Sequence, residues 1–177
     1  MADPPRRPST PPPPVRSSLA PPPRSSLPPP ARSSLPPPGR PSMMPFAVRL
    51  TGTVLIIDDS FTVLKRAQER LQADGMTVRT STRTDVTRDE LDGVDVVVID
   101  FHMPGATGKE VVARTRAIAK ESGFAPVFLL HTTDDRMAAA SKEMGFDGAI
   151  AQKGNFDMLS KQVGAAIRLK KLTAKTT

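Results

Sequence analysis

The sequence predicts an α/β fold, a three-layer, doubly wound, five-stranded parallel sheet preceded by a disordered tail. Two apolar runs, Val54-Leu55-Ile56-Ile57 and Val96-Val97-Val98-Ile99, read as parallel strands buried on both faces. Helical and strand-like segments alternate throughout residues 49–171, as five βα units require. Composition breaks at the start of that region, because 18 of the 20 prolines lie within the first 45 residues. Proline removes backbone donors and favours extended polyproline II, so residues 1–48 are expected to form neither helix nor sheet.

The first strand is expected from Thr53 to Ile57. The helix after it is capped near Ser60, carries Val63, Leu64, Ala67 and Leu71 on one stripe, and stops at Gly75. Thr77 to Thr80 forms the second strand. Thr84 to Leu91 has a poor helical pattern and receives a helix only because the alternation calls for one. The third strand runs from Asp95 to Ile99 and is followed by a helix from Lys109 to Glu121. Pro126 introduces a fourth strand, Val127 to Leu130, then a helix from Asp135 to Met144. A fifth strand, Ala149 to Gln152, and a helix from Phe156 to Lys170 complete the units, leaving 172–177 as a short basic tail.

Asp58 and Asp59 end the first run and Asp100 ends the second. In open α/β sheets ligands bind outside the carboxyl ends of the strands, so the three carboxylates are expected to share one pocket. Carboxylates that close repel unless protons or a cation intervene, and an all-oxygen ligand set suits a hard ion such as Mg²⁺. An aspartate after a strand is also a common turn former and helix cap, so each acid alone says little. The continuation Asp100-Phe101-His102-Met103-Pro104-Gly105-Ala106-Thr107-Gly108, leading into a helix as Asp58-Asp59-Ser60 does, adds the specificity.

With these motifs the chain resembles the receiver domain of two-component response regulators over about residues 49–171. The resemblance implies that Asp100 accepts a phosphoryl group from a histidine kinase. It also implies Mg²⁺ bound by Asp59 directly, by Asp58 through water, by the Asp100 carboxylate and by the His102 backbone carbonyl. Positioning and charge neutralisation are what a carboxylate nucleophile needs for phosphoryl transfer.

The sequence departs from the family at its switch positions. The hydroxyl residue expected at the end of the fourth strand is His131, followed by Thr132 and Thr133. An imidazole can still donate a hydrogen bond to a phosphoryl oxygen, and Thr132 is the alternative. The family lysine falls on Gln152 counted from Met144-Gly145-Phe146-Asp147-Gly148, but on Lys153 counted from His131. A one-residue slip on a strand reverses the side chain's face, so Lys153 is favoured as the phosphate partner with a bulge to aim it. The aromatic residue often found on the fifth strand has no counterpart in Ala149 or Ile150.

Within the tail, Arg-Ser-Ser-Leu recurs at 16–19, 24–27 and 32–35, bracketed by proline triplets, with Arg40-Pro41-Ser42-Met43 as a degenerate copy. At about 3.1 Å per residue the arginines stand roughly 25 Å apart, as in a semi-rigid spacer or a ligand for a multivalent partner. Residues 1–48 carry +5 and residues 168–177 carry +4 of the net charge of +7, leaving the body at −2. The basic balance therefore belongs to the two ends. With no Tyr or Trp, and no recognition helix after the fifth unit, direct DNA binding is not expected. No stretch reads as a signal peptide or transmembrane segment, and the absence of cysteine excludes disulfides and thiolate metal sites, which suits a cytoplasmic location.

Gly105 to Lys109 only partly matches a P-loop, since Met103 and Glu110 replace the required Gly and Ser or Thr. A dehalogenase-type phosphatase would need an aspartate at position 60, which is Ser60. A softer metal site built from His102, His131 and carboxylates carries little weight, and Met103 and Met137 read as packing residues. The sequence thus reads as a single-domain response regulator that signals by phosphorylation-dependent binding of an output protein. Beyond its own phosphorylation and dephosphorylation it is not expected to be an enzyme. The alternative is a pseudo-receiver, a binding or scaffold module set without phosphate.

Overall fold

The computed structural model describes residues 51–174. The tail repeats lie outside the described residues. The elements are β1 (Thr53–Ile57), α1 (Phe61–Ala73), β2 (Thr77–Ser81), α2 (Arg88–Leu91), β3 (Val96–Asp100), β4 (His102–Met103), β5 (Ala106–Thr107), α3 (Gly108–Glu121), β6 (Val127–His131), α4 (Asp135–Ala139), β7 (Gly148–Ile150) and α5 (Phe156–Ala174).

Five strands form a parallel sheet in the order β2-β1-β3-β6-β7. The chain first moves outward from β1 to β2 and then returns past β1 to β3. The loops after β1 and β3 diverge at that reversal, and a crevice opens at the carboxyl ends of these two strands. β1 and β3 are buried almost throughout because both faces of the sheet are covered. Val54, Ile56, Val96 and Val98 pack under α1 and α5, against Leu64, Ala67, Leu71, Leu159, Val163 and Ile167. Leu55, Ile57, Val97 and Ile99 face α2 and α3, against Leu91, Val111, Val112 and Ala119. The predicted α/β class with its five-stranded parallel sheet is the one observed, and the expected disordered tail, residues 1–48, lies outside the described residues.

Five segments differ from their sequence reading, the first being the fifth strand, which spans Gly148–Ile150 and not Ala149 to Gln152. The segment called from Thr84 is helical only over Arg88–Leu91, behind a capping box between Thr87 and Glu90. α4 is five residues long and buries none of them, so it lacks the apolar stripe that would sustain a helix to Met144. α5 continues to Ala174, past the expected domain end at 171. Between β3 and α3 the chain makes an unforeseen antiparallel pair, β4 with β5, around Pro104-Gly105. Gly105 has φ 80°, a left-handed conformation suited to glycine after proline in a tight turn.

That pair sets the entry of α3. Gly108 N–H donates to Phe101 O at 2.8 Å, and a Cβ at Gly108 would lie 2.8 Å from Asp100 O and 2.9 Å from Phe101 Cα. Only glycine allows the helix to start this close to the end of β3. Thr107 accepts from Glu110 N–H while Glu110 accepts from Thr107 N–H, a capping box that fixes the first turn.

Candidate functional site

Asp58 and Asp100 are extended by β1 and β3 on the α1/α5 side of the sheet, and both are buried. Asp59 is exposed beside them. Ligand oxygens of the three lie within 4.8 Å of one another. Asp58 Oδ1 accepts from Ser60 N–H at 2.9 Å, and Ser60 Oγ in turn accepts from Val63 N–H as the cap of α1. The helix start therefore fixes one carboxylate of the cluster.

Lys153 reaches into this cluster from the loop before α5. Its Nζ lies 2.7 Å from Asp100 Oδ2 and 2.9 Å from Asp58 Oδ2. Apart from this ammonium, Asp58 Oδ2 has no partner among the described residues, so it can take a further cation. No bulge aims the lysine. β7 ends at Ile150, and Gln152 turns the chain with φ 66°, a conformation uncommon for a residue other than glycine. Lys153 N–H then donates to Thr132 O at 3.3 Å. Gln152, the alternative position for the family lysine, is exposed.

The electrostatics follow from burial and pairing. Burial holds the Asp100 carboxyl above its ordinary range, Asp58 pushes the same way, and Lys153 opposes only in part. Burial would lower the Lys153 ammonium, yet its contacts with Asp100 and Asp58 raise it overall. One ammonium faces three carboxylates, so the pocket favours a further cation. The donor set is all oxygen and suits Mg²⁺.

His131 is the strand partner of Asp100 in the β3–β6 register. It is 1% exposed, and neither ring nitrogen has a hydrogen-bond partner among the described residues. Burial lowers the imidazole to about 4, with the Asp58 charge opposing and the Lys153 charge adding. It is therefore neutral at physiological pH and keeps one donor and one acceptor uncommitted. Thr132 is buried too, but its Oγ1 accepts from Asp134 N–H at 3.1 Å, which ties it to the turn before α4. His102 lies on β4 with an exposed side chain, edge-on to Phe101 at 4.9 Å between centroids. Together with Asp59 and Met103 it lines an open cavity of about 490 Å³ next to the acids. Thus the structure groups Asp58, Asp59, Asp100 and Lys153 at one point, sets His131 beside Asp100, and places His102 at the pocket mouth.

The roles of Gly108 and Gln152 were not read from the sequence. The Thr107-x-x-Glu110 spacing was a readable cap signal, whereas nothing marks Gln152 for a left-handed turn.

No helix among the described residues is long and apolar enough to cross a membrane. No curated protein sequence matches the chain. Similar solved structures include the BeF₃-activated receiver domain of DrrB, 24% identical with a TM-score of 0.55, covering 67% of this chain and 98% of that one. The chemotaxis protein CheY4 of Vibrio cholerae is 26% identical with a TM-score of 0.54, covering 66% and 98%. Response regulator TrrA of Thermotoga maritima, solved in complex with Mg²⁺-BeF, is 23% identical with a TM-score of 0.53, covering 65% and 98%. The family model for the response regulator receiver domain matches residues 54–166, more than half of the chain. The chain accordingly belongs to the response regulator receiver domain family, whose role lies in two-component signalling.

Proposed function

We propose that Asp100 accepts a phosphoryl group from a sensor histidine kinase or phosphotransfer protein. The observation that carries this reading is the buried Asp100 carboxylate paired to Lys153 at 2.7 Å, with Asp58 and Asp59 oxygens within 4.8 Å. An Asp100 oxygen attacks phosphorus, the P–N bond to the donor histidine breaks, and its electron pair and a proton remain on that imidazole. Asp58, Asp59, the Asp100 carboxylate and the His102 carbonyl would hold Mg²⁺, which when bound neutralises charge on the phosphoryl oxygens. Lys153 exchanges its carboxylate contact for a phosphoryl oxygen, and His131 donates to another in place of the usual hydroxyl. No further catalysis is assigned to the domain.

The signalling state then acts by binding an output protein, with residues 1–48 as a tether or a ligand for a multivalent partner, in the cytoplasm. The imidazole at position 131 and the lack of an aromatic residue on β7 favour one alternative, a pseudo-receiver that binds its partner without phosphate. Titration with beryllofluoride and Mg²⁺, followed by amide chemical shifts, tests the reading. Shifts should spread from Asp59, Asp100 and Lys153 into β6. Shifts absent at saturating reagent would leave the pseudo-receiver.

A further inference from the structure

The end of the sheet opposite the acids carries an open groove of about 1020 Å³. β7 pairs with β6 only from Leu129 onward, so Val127, at the start of β6, lies beyond the reach of the edge strand. Val127 and Phe128 contribute to the groove floor, Ala119 and Phe124 to the α3 side, and Ala166 and Leu169 to the α5 side. Leu169 is 64% exposed. Of the four exposed large hydrophobics among the described residues, three lie on α5, and of these Leu169 lines the groove.

Charge restricts what could cover this surface. The groove's ionisable groups are Arg116, Lys120 and Lys170 against Asp147 alone. Arg116 is paired with Asp147 at 3.0 Å and Lys170 with Asp95 at 3.0 Å. Lys120 makes no ion pair among the described residues and keeps its charge at the rim. The other cations of α5, Lys161, Arg168 and Lys171, lie outside the lining, and Lys171 donates to Thr51 O, so Lys120 is the unpaired charge of the groove. A second copy would bring the same cationic excess against itself. An apolar stripe flanked by carboxylates matches both the floor and the rim, and an amphipathic helix presents such a stripe at i, i+3, i+4 and i+7.

We infer that the α3–β6–α5 groove docks an acidic amphipathic helix of a partner protein, with Leu169 as the apolar contact and Lys120 as the charge that orients it. This goes beyond the phosphoryl chemistry and holds whether or not Asp100 is modified.

The test uses the full chain and a short synthetic helix bearing leucine at i, i+3, i+4 and i+7 with glutamate elsewhere, labelled for fluorescence anisotropy. A scrambled isomer and a version with lysine in place of glutamate are the controls. The acidic helix should bind saturably, and about tenfold more weakly to Leu169→Glu and to Lys120→Glu, each with an unchanged thermal melt. The proposal is overturned by absent binding, by equal binding of either control, or by undiminished binding to Leu169→Glu. It is equally overturned if ultracentrifugation finds a self-association that Leu169→Glu abolishes, because the occupant is then a second copy.

Discussion

Lys153 Nζ and Asp100 Oδ2 are 2.7 Å apart, and the same ammonium is 2.9 Å from Asp58 Oδ2. The lysine thus stands between two buried carboxylates, one just after β1 and one at the end of β3. It acts as a tethered counter-ion, and its removal uncovers two charges at once.

Lys153→Met should therefore destabilise the domain in the absence of divalent cation, by about 3 kcal/mol as for other broken buried pairs. Millimolar Mg²⁺ should restore part of that loss, since it neutralises the same oxygens. Urea unfolding with EDTA or with Mg²⁺ measures both terms. An equal loss in the two conditions would mean that the cation does not bind at these acids.

Mg²⁺ should stabilise the wild-type domain through the same cluster. At ten times its dissociation constant the gain is about 1.4 kcal/mol, visible as a raised Tm. Asp59 is exposed, so Asp59→Ala should fold normally and lose the shift. A shift that persists in Asp59→Ala would place the ion elsewhere.

Asp100→Asn removes the carboxyl whose ionisation burial makes unfavourable. Its melting temperature should equal or exceed that of the wild type, although one contact to Lys153 is lost. A clear drop in Tm would show that the Lys153 pair outweighs the desolvation and Asp58 repulsion.

The His131 imidazole has a folded-state pKa of about 4, below its unfolded value of 6.5. Between those values the unfolded chain binds a proton that the folded chain does not. Stability is therefore lost as pH falls through this window, by on the order of 3 kcal/mol in all, and the loss levels off below about pH 4. The difference between wild type and His131→Thr in chemical unfolding across this range isolates the effect. Parallel curves would contradict a buried neutral imidazole.

The β1 and β3 runs were legible because a core strand covered on both faces admits only apolar residues, and their terminal acids announced themselves by breaking the pattern. α4 was read too long because Ala138, Ala139 and Ala140 favour a helix locally, yet the segment buries no stripe to sustain one. Pro104-Gly105 signalled the turn of β4 and β5, but strands of two residues leave no alternation to read. Counting could not choose between Gln152 and Lys153. The choice rests on the left-handed Gln152 backbone, which carries Lys153 from the end of β7 to the acids. The convergence of Asp58, Asp59 and Asp100 needed only strand order, whereas the uncommitted state of His131 needed side-chain contacts.

The most direct measurement of the central claim is identification of the residue that takes the phosphoryl group. The full chain is incubated with Mg²⁺ and phosphoramidate, reduced with borohydride, which converts an acyl phosphate of aspartate to homoserine, and mapped by peptide mass spectrometry. The account predicts homoserine at position 100, lost with EDTA and absent in Asp100→Asn. An unmodified Asp100, or a product at another residue that survives in Asp100→Asn, would contradict it.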